Sequence, residues 1–292
     1  MIDYPCTFKT SDGASLIAQK NYIRFSVFNF LLLIIAAFCS SSVFHTRYVL
    51  YKPFAWIVIV SLFLALITKL TMKIWGWDKK WFDTRSVAES IKTATWRYAM
   101  GVKPFGLDLS SQEVDKVFTE KIKSIITSMP DIERVISTCL ASGKEITDQM
   151  REIRAKNVNE KKNIYLKERV QDQRNWYGKK AKYNGRREFF WFIAIIVTES
   201  TAIIFAFCML NAQCNIFNPI ALITTIAGVF VAWTEMKRFR ELSQSYALAA
   251  QELASAESLI SSVTDATTLT TYVDDTENAI SREHTMWRAK RS

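Results

Sequence analysis

Glu199 is the residue whose type and setting could do most. It stands beside Thr198, Ser200 and Thr201 as the eleventh residue of an otherwise uncharged apolar stretch that begins at Phe189. A carboxyl at that depth of a membrane-spanning segment must face protein, water or a partner, because hydrocarbon does not solvate charge. Two arrangements answer that need: a protonated carboxyl hydrogen-bonded between helices, or a group lining a pore or cavity in an oligomer. In the second, a ring of carboxyls would be neutral when occluded and ionised when hydrated, and the ionised ring would attract cations. Asn29 is a further candidate polar group within an apolar run. With Ser40 to Ser42, and with Thr224, Thr225 and Gly228 in the last run, it is also small or hydrogen-bonding enough to serve helix packing.

Other chemistry is sought without success. The phosphate-cradling pattern G-x-x-x-x-G-K-[ST] fails at Gly143-Lys144, where Thr138 replaces the first glycine and Glu145 the hydroxyl, so this Gly-Lys reads as a helix boundary. No G-x-S-x-G, H-E-x-x-H or paired-carboxylate motif occurs. The histidines are His45 and His284. Cys6, Cys39, Cys139, Cys208 and Cys214 form no C-x-x-C pair. No metal, no cofactor and no enzymatic activity are expected.

The elements that carry these residues follow from segregation. Of 292 residues 49% are hydrophobic, yet they gather into two pairs of long runs while the charges crowd between them. That excludes a single soluble core of ordinary composition. With 8 Gly and 5 Pro, a collagen-like or largely disordered chain is excluded too. The fold class expected is an all-α membrane protein, with four transmembrane helices as two hairpins plus a cytoplasmic helical domain. The spans are Phe25 to Phe44, Phe54 to Thr68 extending past Lys69 to Met72, Phe189 to Leu210, and Ile216 to Thr234, each long enough for about 30 Å of hydrocarbon. Short connectors, 43–53 and 211–215, close the hairpins. The divisions expected are 1–24, 25–72, 73–188, 189–234 and 235–292. No signal peptide is expected.

Orientation comes from basic residues at the span ends. Lys9, Lys20 and Arg24 precede the first span, and Lys69, Lys73, Lys79 and Lys80 follow the second. Arg186 and Arg187 precede the third, and Lys237, Arg238 and Arg240 follow the fourth. Both termini and the central segment should therefore be cytoplasmic, in a multi-pass inner-membrane protein. Trp56, Trp75, Trp77, Trp191 and Trp233 sit at the expected borders, where an indole spans lipid and headgroup.

Outside the spans the pattern is of helices. Trp77, Trp81, Val87, Ala88 and Ile91 fall near helical spacing, and Gly101 to Asp108 is the main loop. Ser110 or Ser111 caps a helix through Ser128 with a stripe of Val114, Val117, Phe118, Ile122, Ile125 and Ile126, stopped at Met129-Pro130-Asp131. A short helix follows from Ile132 to about Ala141. From Ile146 one long amphipathic helix is expected to run into the third span. Another continues from Met236 to about Val263, with Leu242, Tyr246, Ala249, Ala250, Leu253 and Ala256 on one face. Thr270 or Thr271 caps a last helix through Val273, Ile280 and Trp287. Between Lys144 and Arg187 there are 14 Lys and Arg against 6 Asp and Glu, most of the chain's net +10. This stretch reads as a solvated helix with local ion pairs near anionic lipid, with an anion-binding surface as the alternative. Nucleic acid is not expected, since no fold signature for it occurs.

A family resemblance rests on scattered residues. Trp77, Trp81, Arg85, Ala88-Glu89-Ser90, Lys92, Trp96 and Tyr98 follow the first hairpin; Arg174, Trp176-Tyr177, Lys179-Lys180-Ala181 and Asn184 precede the second; Glu277, Ile280, Ser281, Glu283-His284 and Trp287 lie in the tail. This set resembles the bacterial SLATT proteins, the SMODS and SLOG-associating two-transmembrane effectors, as a tandem of two units offset by about 160 residues. The resemblance implies a membrane effector of prokaryotic conflict systems. Such an effector would oligomerise into a pore when a nucleotide-signalling protein, or the nucleotide it makes, engages it. It implies no agreed catalytic or ligand residues. Trp176, Tyr177, Glu283, His284 and Trp287 are candidates for a cytoplasmic interface, which aromatic packing between helices would also explain. The expected partners are the lipid bilayer and further copies of the chain. The alternative is a non-conducting scaffold whose basic helices recruit a cytoplasmic protein.

Overall fold

A computed structural model describes residues 2–41, 48–128, 143–211 and 219–289, and of residues 48–51, 211 and 282–289 the backbone only. The ordered elements among them are helices: α1 (Cys6–Cys39), α2 (Tyr48–Trp75), α3 (Trp77–Met100), α4 (Ser111–Thr127), α5 (Asp148–Ala155), α6 (Val158–Tyr165), α7 (Asp172–Asn211), α8 (Ile220–Lys237), α9 (Phe239–Leu259) and α10 (Ala266–Ala289). A π-helical turn at Leu166–Gln171 joins α6 to α7, and a 3-10 turn at Ile260–Ser262 ends α9. Four stretches are long and apolar enough to cross a membrane, one in each of α1, α2, α7 and α8. The chain divides into two compact units: Lys20–Trp77 with Lys182–Ser243, and Met1–Gln19 with Asp78–Ala181 and Gln244–Ser292.

The first unit holds the spans. Their outward faces expose Phe28, Leu31, Phe63, Leu66, Phe192 and Phe207, among other large apolar side chains, a surface that suits lipid. Inside the first hairpin the buried Asn29 donates from Nδ2 to the Ala65 carbonyl at 2.9 Å, a bond between α1 and α2. In the second hairpin the Trp191 ring of α7 meets Phe230 and Trp233 of α8, centroids 5.2 and 6.1 Å apart. Hydroxyls within the spans bond back along their own helices. Thr68 donates to the Leu64 carbonyl, Thr201 to Val197 and Thr225 to Ala221, so these groups need no external partner.

The second unit has a continuous core of Val87, Ile91, Trp96, Tyr98, Phe118, Met150, Tyr165, Val170, Leu253 and Val273, with neighbours of the same kind. The α4 helix matches the sequence reading. Ser110 and Glu113 form a capping box, and Val114, Phe118, Ile122 and Ile126 are buried. The expected loop at 101–108 is present. Gly101 turns at φ 80°, where an added Cβ would meet Leu107 at 2.5 Å. The Arg154 guanidinium donates to the carbonyls of Tyr98, Phe105 and Gly106 at 2.9, 2.8 and 2.6 Å, tying the loop to α5.

Several boundaries differ from the sequence reading. Helix α1 starts at Cys6, far ahead of Phe25, because Thr7, Ser11, Ser15 and Ala18 form a buried stripe at helical spacing. The stripe is small and polar, so hydropathy does not register it. The long helix expected from Ile146 is interrupted: Asn157 accepts from the Glu160 N–H at 3.0 Å and restarts the chain as α6. Only from Val158 does helical backbone run unbroken to the third span. The helix expected to continue past Met236 breaks at Arg238, which is left-handed at φ 50°. The last helix is capped by Asp265, whose Oδ1 accepts the N–H groups of Thr267 and Thr268, and not by Thr270 or Thr271. The helix expected over 132–141, its stop at 129–131 and most of both connectors lie outside the described residues.

Candidate functional site

Glu199 lies on α7 with its side chain exposed on the outside of the hairpin. Phe192, Ile196, Ile203 and Phe207 flank it at helical spacing, and all are exposed. Among the described residues none hydrogen-bonds or ion-pairs with Glu199. Ser200 is exposed beside it. Thr198 is half-buried and donates to the Ala194 carbonyl at 2.7 Å. Asn29 does not join them, because its amide is committed to Ala65 inside the first hairpin. One carboxyl therefore sits in the middle of a bare apolar face, with its own chain leaving it unpartnered.

A second polar centre is buried in the other unit. The π-helical turn carries Arg169 into the core, where its side chain is 1% exposed and pairs with Glu277 of α10, 0% exposed. Arg169 Nε donates to Glu277 Oε1 at 2.8 Å and Nη2 donates to Oε2 at 2.7 Å. The Tyr165 hydroxyl donates to Oε1 at 3.0 Å and Thr93 Oγ1 donates to Oε2 at 2.9 Å, so four donors meet one carboxylate. Arg169 Nη1 is buried and without a hydrogen bond. Burial alone would lower the affinity of this guanidinium for its proton, but the charge and hydrogen bonds of Glu277 outweigh it and hold the pKa above its ordinary value. Burial, followed by the Glu277 charge, pushes Tyr165 well above the usual tyrosine range.

Nearby groups extend the centre. Trp96 Nε1 donates to the Tyr4 hydroxyl at 3.0 Å, and burial pushes Tyr4 up to about 12 against the opposing pull of Arg169. Lys92 lies 6.0 Å from the Tyr4 ring centroid; burial and then Arg169 lower its pKa. Arg85 bridges Asp12 at 2.9 Å and Glu89 at 2.6 Å, linking α1 to α3.

The sequence reading missed this ion pair. Arg169 stood among the charges of a solvated helix, whereas Lys161 and Arg169 are buried and Arg154 serves loop carbonyls. A local ion pair of the kind expected for this stretch is present between Glu152 and Lys156 at 3.3 Å. A signal was available: Glu277 lies between Val273 and Ile280 on the apolar stripe of the last helix, and a charge in such a stripe calls for a buried partner.

Trp176 and Tyr177 are brought together, their centroids 5.2 Å apart, and both pack on Tyr246 of α9 at 5.4 and 5.6 Å. Tyr177 is buried and Lys180 lies over the Trp176 ring. This is interhelical packing. Glu283, His284 and Trp287 belong to α10, and their side chains lie outside the described residues.

Comparison with known families divides the chain in two. Residues 5–162 match the family described as SMODS and SLOG-associating 2TM effector domain 3, and residues 165–287 match effector domain 1 of the same description. No curated protein and no solved structure matches the chain. Arg169 and Glu277 both fall in the second matched stretch, while Thr93, which donates to the same carboxylate, falls in the first.

Proposed function

Because the chain belongs to the SLATT family, with two of its units in tandem, we propose that it is a membrane effector of a prokaryotic conflict system that assembles from several copies into a conducting path. The observation that carries this reading is Glu199, exposed and unpartnered in the middle of an apolar span. Isolated in hydrocarbon it is costly, by about 3 kcal/mol on insertion scales. A second copy or a water-filled path removes that cost. Four spans in one chain are too few to surround a wide aqueous path, so the carboxylates of several chains would form a ring that favours cations. The trigger is a nucleotide signal or a partner protein engaging the helical unit. In this reading both termini face the cytoplasm of the inner membrane, the orientation that the Lys and Arg at the span ends favour.

The test is ion flux through liposomes holding the full chain. Glu199→Gln keeps size and hydrogen bonding and removes the charge. It should leave assembly intact and weaken cation preference. Equal flux and selectivity in parent and variant would reject the ring.

A further inference from the structure

Where the spans of the second hairpin give way to charge, α7, α8 and the start of α9 enclose an open cavity of about 730 Å³. That volume lies within the range of about 300–1,000 Å³ typical of small-molecule sites. One wall is apolar, made by Phe189, Phe192 and Ile195 of α7. The mouth carries both signs of charge. Arg238 pairs with Glu241 at 3.3 Å, and Arg240 stands 3.8 Å from Glu188, a loose contact with the arginine side chain 77% exposed. Glu235, also lining the cavity, is exposed and makes no hydrogen bond or ion pair among the described residues.

The backbone marks the same place. Arg238 is the described non-glycine residue held at positive φ, a conformation costing about 1 kcal/mol that tends to persist at functional sites. One residue before the wall-lining Thr234, the buried Trp233 Nε1 has no acceptor among the described residues, and Lys237 lies over the Trp233 ring at 4.9 Å. Indoles at membrane borders donate to headgroup oxygens.

We propose that this cavity is a binding site for one phospholipid with a primary-ammonium headgroup, of the phosphatidylethanolamine class. Its phosphate takes Arg240 and Arg238, its ammonium takes Glu235, and an acyl chain lies along Phe189, Phe192 and Ile195. Charge complementarity selects this occupant. Three carboxylates and two guanidiniums line the cavity, so a purely anionic headgroup would leave Glu235 facing negative charge. A trimethylammonium headgroup has no N–H to give it. The proposal is independent of conduction.

The experiment is native mass spectrometry of the delipidated full chain in detergent, titrated with phosphatidylethanolamine, phosphatidylglycerol and phosphatidylcholine of the same acyl chains. The parent should retain one phosphatidylethanolamine about tenfold more tightly than either of the others. Glu235→Gln should abolish that preference, Glu235→Asp should keep most of it, and Arg240→Gln should weaken retention of all three lipids. Equal retention of the three by the parent would overturn the proposal, as would preference for phosphatidylglycerol. So would a Glu235→Gln protein that elutes as the parent does and still prefers phosphatidylethanolamine. If Glu235→Gln aggregates, the parent series and Glu235→Asp decide the matter by themselves.

Discussion

Arg169 and Glu277 show how one residue can depend on another. Each is a charge taken fully out of water, and each is tolerable only because the other is there. Replacing one partner alone, as in Arg169→Met or Glu277→Leu, should cost about 3–5 kcal/mol, because it leaves the other buried and unpaired. The double replacement Arg169→Met with Glu277→Leu should recover much of that loss, since a matched apolar pair needs no counter-charge. The measurement is the temperature at which half the protein still elutes as a sharp peak after heating in detergent. A double variant no more stable than the worse single variant would show that the pair does more than balance charge. Tyr165 and Thr93 would also be left with hydroxyls lacking their acceptor, so recovery should be incomplete.

At the scale of elements, each hairpin is followed by a one-residue left-handed hinge. Gly76 at φ 55° separates α2 from α3, and Arg238 at φ 50° separates α8 from α9. The two positions stand at the offset near 160 residues that the tandem of family units suggests. At Gly76 an added Cβ would meet nothing within 4 Å, so the cost of a side chain there is purely conformational. Gly76→Ala should lower stability by about 1 kcal/mol, while Arg238→Gly should relieve a similar strain and offset the lost contact with Glu241. Thermal midpoints of the two variants, moving down for the first and not down for the second, check this. A Gly76→Ala protein as stable as the parent would mean that the left-handed backbone at Gly76 is not kept in the folded state. The hinge at Gly76 was readable in principle, since glycine stood at a span end. The hinge at Arg238 was not, because arginine carries no local preference for that conformation and only the surrounding contacts hold it there.

For the whole molecule, the spans and the basic residues at their ends predict one orientation. A single cysteine placed at Gln213, in a background lacking the native cysteines, should react with an impermeant maleimide from outside intact cells, and one at Ser292 should react only after the membrane is breached. The reverse pattern would invert the topology and with it the side on which a trigger could act. Assembly is the property of this scale on which the role proposed for Glu199 depends. A protein that oligomerises yet conducts nothing would be the scaffold, recruiting a partner without opening a path.

Sequence alone determined what hydropathy and local chemistry can carry. The four spans are visible because a membrane segment must be apolar over its whole length, and α4 is visible because its cap and its stripe are both local. Glu199 is visible for the same reason, a charge where the solvent is hydrocarbon. The tertiary structure decided what depends on partners distant in the chain. It showed that the early part of α1 is helical, because a stripe of Thr7, Ser11 and Ser15 gains its burial only from other elements. It showed that Asn29 serves a helix pair while Glu199 faces outward, a distinction of azimuth that composition does not contain. It brought Arg169 and Glu277, 108 residues apart, to one buried contact. A charge reads as solvated until the fold supplies both its burial and its counter-charge.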